Sequence, residues 1–407
     1  MQRTHDLVVF GATSFVGQIL CRHLVERHGT DGDVTWAIAG RNAEKLDQVA
    51  ADTGADVTRI VADADDEAAI AAMVASAKVI ISTVGPYALY GSKLVAAVAE
   101  AGVGYVDLTG EPQWQREMID AHHARATETG ARIVHACGFD SIPSDLGVWF
   151  LQQQAIERFG APCNRVRFGL ETAKGAASGG TIASMMNVLD DVKADPSLRK
   201  VLANPYALTP EDGRQGPQEP GPKQPNVTTP VRDDGLGGWQ AAFVMAGTNT
   251  KVVFRSHALL GYPWGDDFTY GETMMMGDGI TGRAKALGMT GALGGFMGAA
   301  AVGPLRKVLG KVLPEPGEGP STEQQESGFF DIRIHGTTAD GEELTIRVTG
   351  DRDPGYGSTA KMLAESAFVL LQRGDDVSGG FHTPATALGD AGIAALVEHA
   401  GLTFDVC

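Results

Sequence analysis

The stretch DLVVFGATSFVG, residues 6–17, decides the fold of this 407-residue chain. Its first five residues are mostly apolar and predict a buried β-strand, and the loop from Gly11 to Gly17 opens a helix. In dinucleotide-binding folds this turn needs glycine where the chain bends and where helix and strand pack closely, and the helix N-terminus holds the pyrophosphate. Ser14 stands where a middle glycine is common. The residues predicted to bind a dinucleotide here are Gly11, Ala12, Thr13, Ser14, Phe15, Val16 and Gly17.

The first 140 residues alternate apolar strands with helical segments, which is the pattern of a doubly wound parallel sheet. Several strands are continuous apolar runs, as expected when helices cover both faces of the sheet. The predicted strands are Asp6–Phe10, Val34–Ala39, Asp56–Ala62, Lys78–Val84, Gly104–Leu108 and Arg132–Ala136. The predicted helices are Gly17–Arg27, Ala43–Thr53, Glu67–Ser76 and Lys93–Ala101.

The alternation of strands and helices ends after about residue 148, where strands follow one another with few β-α-β units. This order predicts a second domain of mixed α+β type. Seven prolines between Pro205 and Pro230 predict a loop or flap. The predicted strands are Val166–Thr172, Ala241–Ala246, Lys251–Leu260, Asp267–Met274, Phe329–Thr337 and Glu343–Thr349, and the predicted helices are Thr181–Leu202, Thr359–Arg373 and Thr386–Ala400.

The ends of the early strands indicate which nicotinamide cofactor would bind. Arg41 follows the second strand, where an NAD site would place Asp or Glu to bind the ribose 2′-hydroxyl. A guanidinium suits a 2′-phosphate instead, so the sequence favours NADP(H), with a plain surface arginine as the alternative. Asp63 is predicted to accept a hydrogen bond from the adenine amino group. Thr83, Gly85 and Pro86 are predicted beside the ribose and nicotinamide, because ligands bind outside the carboxyl ends of such strands.

Candidates for catalysis follow the fourth and sixth strands. Tyr87 is predicted either to reach the nicotinamide or the substrate, or to pack beneath the turn. Asp140 and Ser141, with Cys137 just before them, follow the sixth strand. The same segment reads equally well as a helix entry with Ser144 or Asp145 as the N-cap.

Composition excludes several other classes of protein. The formal net charge of −17 repels phosphate backbones and argues against a nucleic-acid partner. Four scattered cysteines show neither a disulfide framework nor a CxxC zinc site, and no histidine pair has metal-ligand spacing, so we predict no metal. The N-terminus enters the first strand directly, without the pattern of a secretory signal peptide, so the sequence predicts a cytoplasmic protein.

Eight longer motifs together resemble one family of oxidoreductases. They are GATSFVG from residue 11, AGRN from 39, STVGPYALYG from 82, YVDLTGE from 105, CGFDSIPSDLG from 137, ASGGTIAS from 177, DPGYGSTAKMLAESA from 353 and FHTPATALG from 381. This set is similar to the saccharopine dehydrogenase-like oxidoreductases and, more narrowly, to the actinobacterial trans-acting enoyl reductases that serve polyketide synthases. The matches extend from the first strand almost to the end of the chain.

The resemblance implies an NADP-binding Rossmann domain over 1–145, a mixed α+β substrate or dimerisation domain over 146–380, and a tail, 381–407, that returns to the first domain. For the narrower branch it implies NADPH-dependent reduction of a carbon–carbon double bond in a carrier-bound acyl thioester during lipid biosynthesis. A polyketide synthase is the expected partner, and a homodimer is compatible with it. Two other functions stay open: a lipid- or membrane-associated binding protein without turnover, and an amino-acid dehydrogenase of the saccharopine type.

Two further segments bear on the substrate. Residues 286–305 hold no charged residue and six glycines, and three basic residues follow within 306–311. This segment predicts a buried helix pair or an acyl-tunnel wall, with a peripheral membrane or synthase contact through 286–313 and a membrane span as alternatives. Ser178–Thr181 opens a helix whose amides could hold a thioester oxygen or a pantetheine phosphate, or be an ordinary capped end.

Overall fold

A computed structural model describes residues 3–175, 179–214, 216–217, 221–302, 304–306 and 319–407. These ranges contain two seven-stranded sheets, one parallel and one mixed, with helices packed against both. The predicted fold class, α/β with a Rossmann-type doubly wound sheet and a second mixed α+β part, is confirmed.

The first sheet has the strand order β13-β6-β5-β4-β1-β2-β3, and every neighbouring pair is parallel. Its central strands are apolar and fully buried because helices cover both faces. The strands are β1 (His5–Phe10), β2 (Trp36–Gly40), β3 (Thr58–Val61), β4 (Ala77–Ser82), β5 (Gly104–Asp107), β6 (Arg132–Val134) and β13 (Gly380–His382). The helices between them are α1 (Phe15–His28), α2 (Ala43–Thr53), α3 (Glu67–Ser76), α4 (Tyr87–Tyr90), α5 (Ser92–Ala101) and α6 (Pro112–Thr129).

The second sheet has the order β14-β12-β11-β7-β10-β9-β8, in which only β7 and β10 run parallel. The strands are β7 (Cys163–Lys174), β8 (Val231–Asp233), β9 (Gly238–Ala242), β10 (Thr269–Gly277), β11 (Phe329–Thr338), β12 (Glu343–Gly350) and β14 (Leu402–Val406). The remaining helices are α7 (Ile142–Phe159), α8 (Gly179–Ala194), α9 (Leu198–Ala203), α10 (Ala246–Leu259), α11 (Gly279–Ala301), α12 (Thr322–Glu326), α13 (Gly357–Arg373) and α14 (Pro384–His399).

The sheets divide the chain differently from the predicted boundaries. Helix α13, assigned to the 146–380 domain, packs on α1, β4 and β5 of the first sheet, and β13 extends that sheet beside β6. The 381–407 tail is shared: it begins on β13, but its last strand, β14, pairs with β12 of the second sheet. The chain therefore returns to the first sheet before residue 381 and ends on the second.

The segment Lys251–Leu260, predicted as a strand, lies in α10. The β-branched and aromatic run Val252-Val253-Phe254 favours a strand locally. The structure instead buries every residue from Thr248 to His257 except Thr250, so the helix is packed on almost all sides and has no polar face to signal its period. The predicted helix Thr181–Leu202 is likewise two helices, α8 and α9, interrupted around Pro196, where a proline cannot continue the hydrogen-bond ladder.

The uncharged segment 286–305 is largely a surface helix, not one of a buried pair. Helix α11 packs on β9 and β10 along one side, whereas Leu287 and Met289 are 56% and 38% exposed. Gly303 and residues 307–313 of the predicted contact segment lie outside the described residues. Across the described ranges, no helix combines the length and the hydropathy needed to cross a membrane.

Candidate functional site

The glycine loop after β1 has the geometry that a dinucleotide requires. Gly11 adopts φ +92°, and a Cβ at this position would lie 2.6 Å from Thr83 Oγ1. A Cβ on Gly17 would lie 2.3 Å from the Gly11 carbonyl oxygen, so the helix packs directly on the strand end. The first-turn amides of α1, those of Phe15 and Val16, have no acceptor within a helix and point out of its N-terminus. This cradle fits a pyrophosphate.

Ser14 explains how the loop works without a middle glycine. Its Oγ accepts the Gly17 N–H at 2.9 Å, which makes Ser14 the N-cap of α1. The same hydroxyl lies 2.9 Å from Thr83 Oγ1, and Thr83 in turn donates to the Gly11 carbonyl at 2.9 Å. The side chain is therefore folded into the loop and ties it to the end of β4. Thr83 belongs to this scaffold.

The residues predicted to bind the adenosine half of the cofactor follow the ends of β2 and β3. Arg41 is exposed immediately after β2, and within the described residues its side chain forms no hydrogen bond or ion pair. Asn42 caps α2 by accepting the Lys45 N–H at 2.9 Å, which fixes the backbone next to Arg41. Asp63 is exposed beyond β3, and one of its oxygens accepts the Asp65 N–H at 3.0 Å. Roles for Arg41 and Asp63 in cofactor binding stay predictions.

The turn after β4, which carries Gly85 and Pro86, is held from beneath by Tyr87. Its ring is buried 5.5 Å from that of Trp114. Its hydroxyl donates to the Ser82 carbonyl at 3.0 Å and accepts the Leu108 N–H at 3.1 Å. Burial raises the pKa of this phenol well above its ordinary value. The packing alternative for Tyr87 is therefore favoured over contact with nicotinamide or substrate.

Glu111, which was not singled out from the sequence, connects this turn to helix α8. Its carboxylate is fully buried and accepts the N–H groups of Tyr87 and Ala88 at 2.8 and 3.1 Å, at the start of α4. Ser184 of α8 donates to it at 2.7 Å. Burial raises the pKa of Glu111. The only available signal was its position four residues after β5, in the motif YVDLTGE.

The segment after β6 separates the other catalytic candidates. Ser141 is buried at the N-cap position of α7 and donates to Asn249 Oδ1 at 3.1 Å, and the Cys137 thiol is buried. Asp140 is half-buried, and burial together with the nearby Asp107 carboxylate raises its pKa to about 7. Asp140 is thus the one of the three that is not fully buried, and its carboxyl group lies at the sheet edge. The N-cap is Ser141, not Ser144 or Asp145.

A cavity of about 750 Å³ lies in the second half of the chain. Helix α11 contributes Leu293 and Met297 to its wall, so the tunnel-wall interpretation of that segment agrees with the structure in part. The proline-rich segment contributes a second wall. The other lining residues include Leu202, Pro205, Pro222, Pro225, Phe243, Val244, Phe254, Tyr270 and the charged Lys251 and Glu272.

The first turn of α10 joins this cavity to the carboxyl edge of the first sheet. Ala246 and Gly247 line the cavity, and the Thr248 hydroxyl donates to the Gly110 carbonyl at 3.2 Å. Gly110 also lies beside Asp140, whose Oδ1 would be 3.7 Å from a Cβ built on that glycine. The first turn of α10 therefore lies between the cavity and the part of the first sheet that carries Gly110 and Asp140.

A buried polar network supports this junction. Asn249 donates to Ser144 Oγ at 3.1 Å and to Glu272 Oε2 at 2.9 Å, and Tyr270 donates to Glu272 Oε1 at 2.7 Å. Burial raises the pKa of Glu272 to about 7. Because every member has a partner, the network fixes α7, α10 and β10 relative to one another.

Comparisons with known proteins agree with this geometry. Residues 7–134 match the sequence model of the saccharopine dehydrogenase NADP-binding domain. A Mycobacterium tuberculosis protein with the provisional name of trans-acting enoyl reductase is 40% identical over 403 residues, covering 96% of this chain and 94% of that protein. The trans-acting enoyl reductase of Mycobacterium ulcerans is 37% identical over 409 residues, covering 98% and 96%.

A solved structure extends the agreement to the fold. The apo, histidine-tagged saccharopine dehydrogenase (L-Glu forming) of Saccharomyces cerevisiae superposes with a TM-score of 0.52 at 13% identity, covering 99% of this chain and all of that one. The expected cofactor, NADP(H), is confirmed by the match of the first domain. The chain is thus a member of the saccharopine dehydrogenase-like family, in the branch of the trans-acting enoyl reductases, and an NADP-dependent oxidoreductase.

Proposed function

We propose that this protein is an NADPH-dependent enoyl reductase that acts in trans on acyl thioesters, carried by a polyketide synthase carrier protein, in lipid biosynthesis. The observation that carries the proposal is the cavity of about 750 Å³, which is lined by residues of the first turn of α10, the same turn that bonds to Gly110 at the cofactor edge. Its size suits a substrate with an extended chain, and its apolar wall suits hydrocarbon. Relatives at 37–40% identity bear the name of this activity.

The reaction makes three demands on the protein. Bound NADPH supplies a hydride, which in enoyl reduction adds to the β-carbon of the substrate. The loop from Gly11 to Gly17 would hold the pyrophosphate of the cofactor, and Arg41 its 2′-phosphate. The protein must also stabilise the negative charge that develops on the thioester oxygen, and it must deliver a proton to the α-carbon.

Asp140 is the proposed source of that proton. A carboxyl group with a pKa of about 7 is substantially protonated at neutral pH and can donate that proton. Asp140→Asn removes the proton and keeps the shape, so we expect kcat to fall by about 100-fold. Asp52→Asn, an exposed change on α2, is the control and should leave kcat unchanged.

The proposal is tested by mixing the protein with NADPH and 2-enoyl thioesters of several chain lengths, on coenzyme A and on a carrier protein. We expect loss of NADPH fluorescence and a product that has gained two hydrogens by mass spectrometry. Failure to bind NADPH in calorimetry, or binding without oxidation by any enoyl thioester, contradicts the proposal. The dependence of the rate on acyl chain length then shows which chain lengths the cavity accommodates.

A lipid- or membrane-associated protein without turnover is the second candidate, and the exposed apolar side of α11 favours it. Arg283 and Lys285 flank that surface and carry the charge expected of a contact with anionic lipid. Sedimentation with phosphatidylglycerol vesicles distinguishes the two functions. Vesicle binding by a protein that oxidises no NADPH supports this candidate, and the absence of binding contradicts it.

A saccharopine-type amino-acid dehydrogenase is disfavoured by the charges in the cavity. The substrate of such an enzyme carries several charged groups, so a site that binds it would need several free cations. Among the described residues two cations line the cavity: Arg214 pairs with Asp120, and Lys251, whose ammonium donates to two backbone carbonyl groups, has a single N–H left for a ligand. No NADPH oxidation with lysine and 2-oxoglutarate is expected, and turnover there would reverse this assignment.

A further inference from the structure

Lys251 is a lysine in an unusual position on α10. Its side chain is only 3% exposed, and its ammonium donates to the Leu202 carbonyl at 2.8 Å and to the Gly247 carbonyl at 2.5 Å. Among the residues that the structure describes, no carboxylate pairs with it. A buried cation balanced only by carbonyl dipoles is costly, which calls for a functional explanation.

The ammonium has one N–H left for a ligand. A lysine carries three donors, and two are used by the carbonyls of Leu202 and Gly247. Lys251 is part of the cavity wall. Within the described ranges no protein acceptor takes the third N–H. The cavity therefore offers a single buried positive charge to a substrate.

Helix α10 also connects this charge to the cofactor edge. The acceptor Gly247 belongs to the first turn of α10, and the next residue, Thr248, bonds to Gly110. The side chain of Lys251 thus runs back along the helix toward the first sheet.

We propose that the Lys251 ammonium binds the thioester carbonyl oxygen and stabilises the enolate oxygen formed in the reaction. This inference rests on the proposed function. When the hydride adds to the β-carbon, the π pair of the C=C bond forms a new π bond between the α-carbon and the carbonyl carbon. The π pair of the carbonyl group moves onto its oxygen, which gives the enolate. Protonation of the α-carbon then restores the carbonyl. The overall reaction converts enoyl thioester, NADPH and H⁺ into saturated thioester and NADP⁺.

The pH dependence of Lys251 gives the proposal a specific signature. Burial lowers the pKa of its ammonium to about 8, so the cation is present below that pH and is lost as the pH rises through it. The other titratable or charged groups lining the cavity are Glu272, Tyr270, Tyr206 and Arg214. Asp140 also loses its proton, but near pH 7. Glu272 also loses its proton near pH 7, so the Lys251 limb is isolated by measuring profiles in a background that carries both Asp140→Asn and Glu272→Gln.

The variants Lys251→Met and Lys251→Arg carry the kinetic test. Methionine keeps much of the volume without charge, and we expect kcat to fall about 100- to 1000-fold with a smaller change in KM. Arginine keeps the cation, so it should recover most of kcat and remove the alkaline limb near pH 8. Lys200→Met, on the exposed surface of the neighbouring α9, is the matched control and should behave as wild type.

A second measurement does not depend on turnover. A saturated fatty acid presents a carboxylate oxygen in place of the enolate oxygen, and its affinity is measured by calorimetry in the presence of NADP⁺. We expect Lys251→Met to weaken this affinity at least tenfold, and the wild-type affinity to fall above pH 8. Thermal unfolding and NADPH affinity verify that each variant is folded.

The outcomes separate the inference from the function beneath it. A folded Lys251→Met with wild-type kcat, or equal losses in the methionine and arginine variants with unchanged fatty-acid binding, overturns the inference and leaves Lys251 as an anchor between α9 and α10. If the wild type reduces no enoyl thioester, the proposed function fails. Lys251-dependent binding of the fatty acid would then still establish the anion site.

Discussion

Replacing Glu111 by glutamine tests whether a single buried carboxylate holds the cofactor edge to the second half of the chain. The wild-type carboxylate accepts hydrogen bonds from Tyr87, Ala88 and Ser184. In the Glu111→Gln variant one oxygen becomes an NH₂ group, which is itself a donor. Tyr87 and Ser184 bond to Oε1 and Ala88 bonds to Oε2, so whichever oxygen is replaced, one backbone N–H at the start of α4 loses its acceptor.

The magnitude follows from these contacts. A hydrogen bond to a charged group contributes about 1.5–3 kcal/mol, and a buried donor left without an acceptor costs about 1–3 kcal/mol. Part of this loss is offset, because burial raises the pKa of Glu111 and the neutral amide avoids the same desolvation. We therefore expect the free energy of unfolding to fall by about 2 kcal/mol, and NADPH to bind more weakly because the turn carrying Pro86 loosens.

Urea unfolding monitored by tryptophan fluorescence measures the first effect, and calorimetry measures the second. Ser184→Ala removes only the contact from α8 and should cost about 1 kcal/mol, with most of that loss absent when Glu111 is already glutamine. Glu100→Gln, an exposed change on α5, should cost less than about 0.5 kcal/mol. Stability of Glu111→Gln within 0.5 kcal/mol of wild type, or full additivity with Ser184→Ala, would refute the reasoning.

Three further predictions concern the cofactor loop, the strand end and the buried network. Arg41→Ala should weaken NADPH about tenfold and NADH hardly at all in fluorescence titrations, since one exposed charged hydrogen bond is lost; equal losses for both contradict the 2′-phosphate assignment. Ser14→Ala should lower the free energy of unfolding by about 1 kcal/mol through loss of the α1 cap, whereas Ser14→Gly should cost only a few tenths, and identical losses would count against capping. Burial raises the pKa of Glu272 to about 7, so its folded form retains a proton that the unfolded chain releases near pH 4.5; Glu272 should therefore lower the free energy of unfolding by about 3 kcal/mol as the pH rises from about 5 to 7, and urea unfolding of Glu272→Gln should show a shallower slope, with the contributions of Asp140 and Asp145 left in place.

The first half of the fold was predictable because its signals are local. The apolar run of β1 and the glycines at 11 and 17 specify a strand, a turn and a helix within twelve residues, and the later strands repeat the pattern. From the sequence, Ser14 is only a residue at the position where a middle glycine is common. Its actual role as the α1 cap, tied to Thr83, depends on a contact with β4 that sequence spacing does not reveal.

Helix α10, in the second part of the chain, was not predicted from the sequence, and the reason is physical. A helix enclosed on nearly every side, as α10 is, loses the amphipathic period that identifies helices, and its run Val252-Val253-Phe254 then resembles a strand. This error also concealed Lys251, because only a helix brings its ammonium back to the carbonyl of Gly247, one turn earlier. The contacts of Thr248 with Gly110 and of Asn249 with Glu272 likewise depend on the first turn of this helix.

Helix α8 shows why the cofactor edge and the cavity form one unit. At its start, the Gly179 N–H donates to the Tyr356 hydroxyl at 3.0 Å, and the Tyr356 ring packs 4.9 Å from that of Phe15 in the glycine loop. One turn later, Ser184 bonds to Glu111 beneath the β4 turn. The same helix packs on α9 and α11, which line the cavity. A shift of the glycine loop on cofactor binding therefore has a continuous packed route to the cavity wall, so the affinities for cofactor and acyl chain should be linked rather than independent.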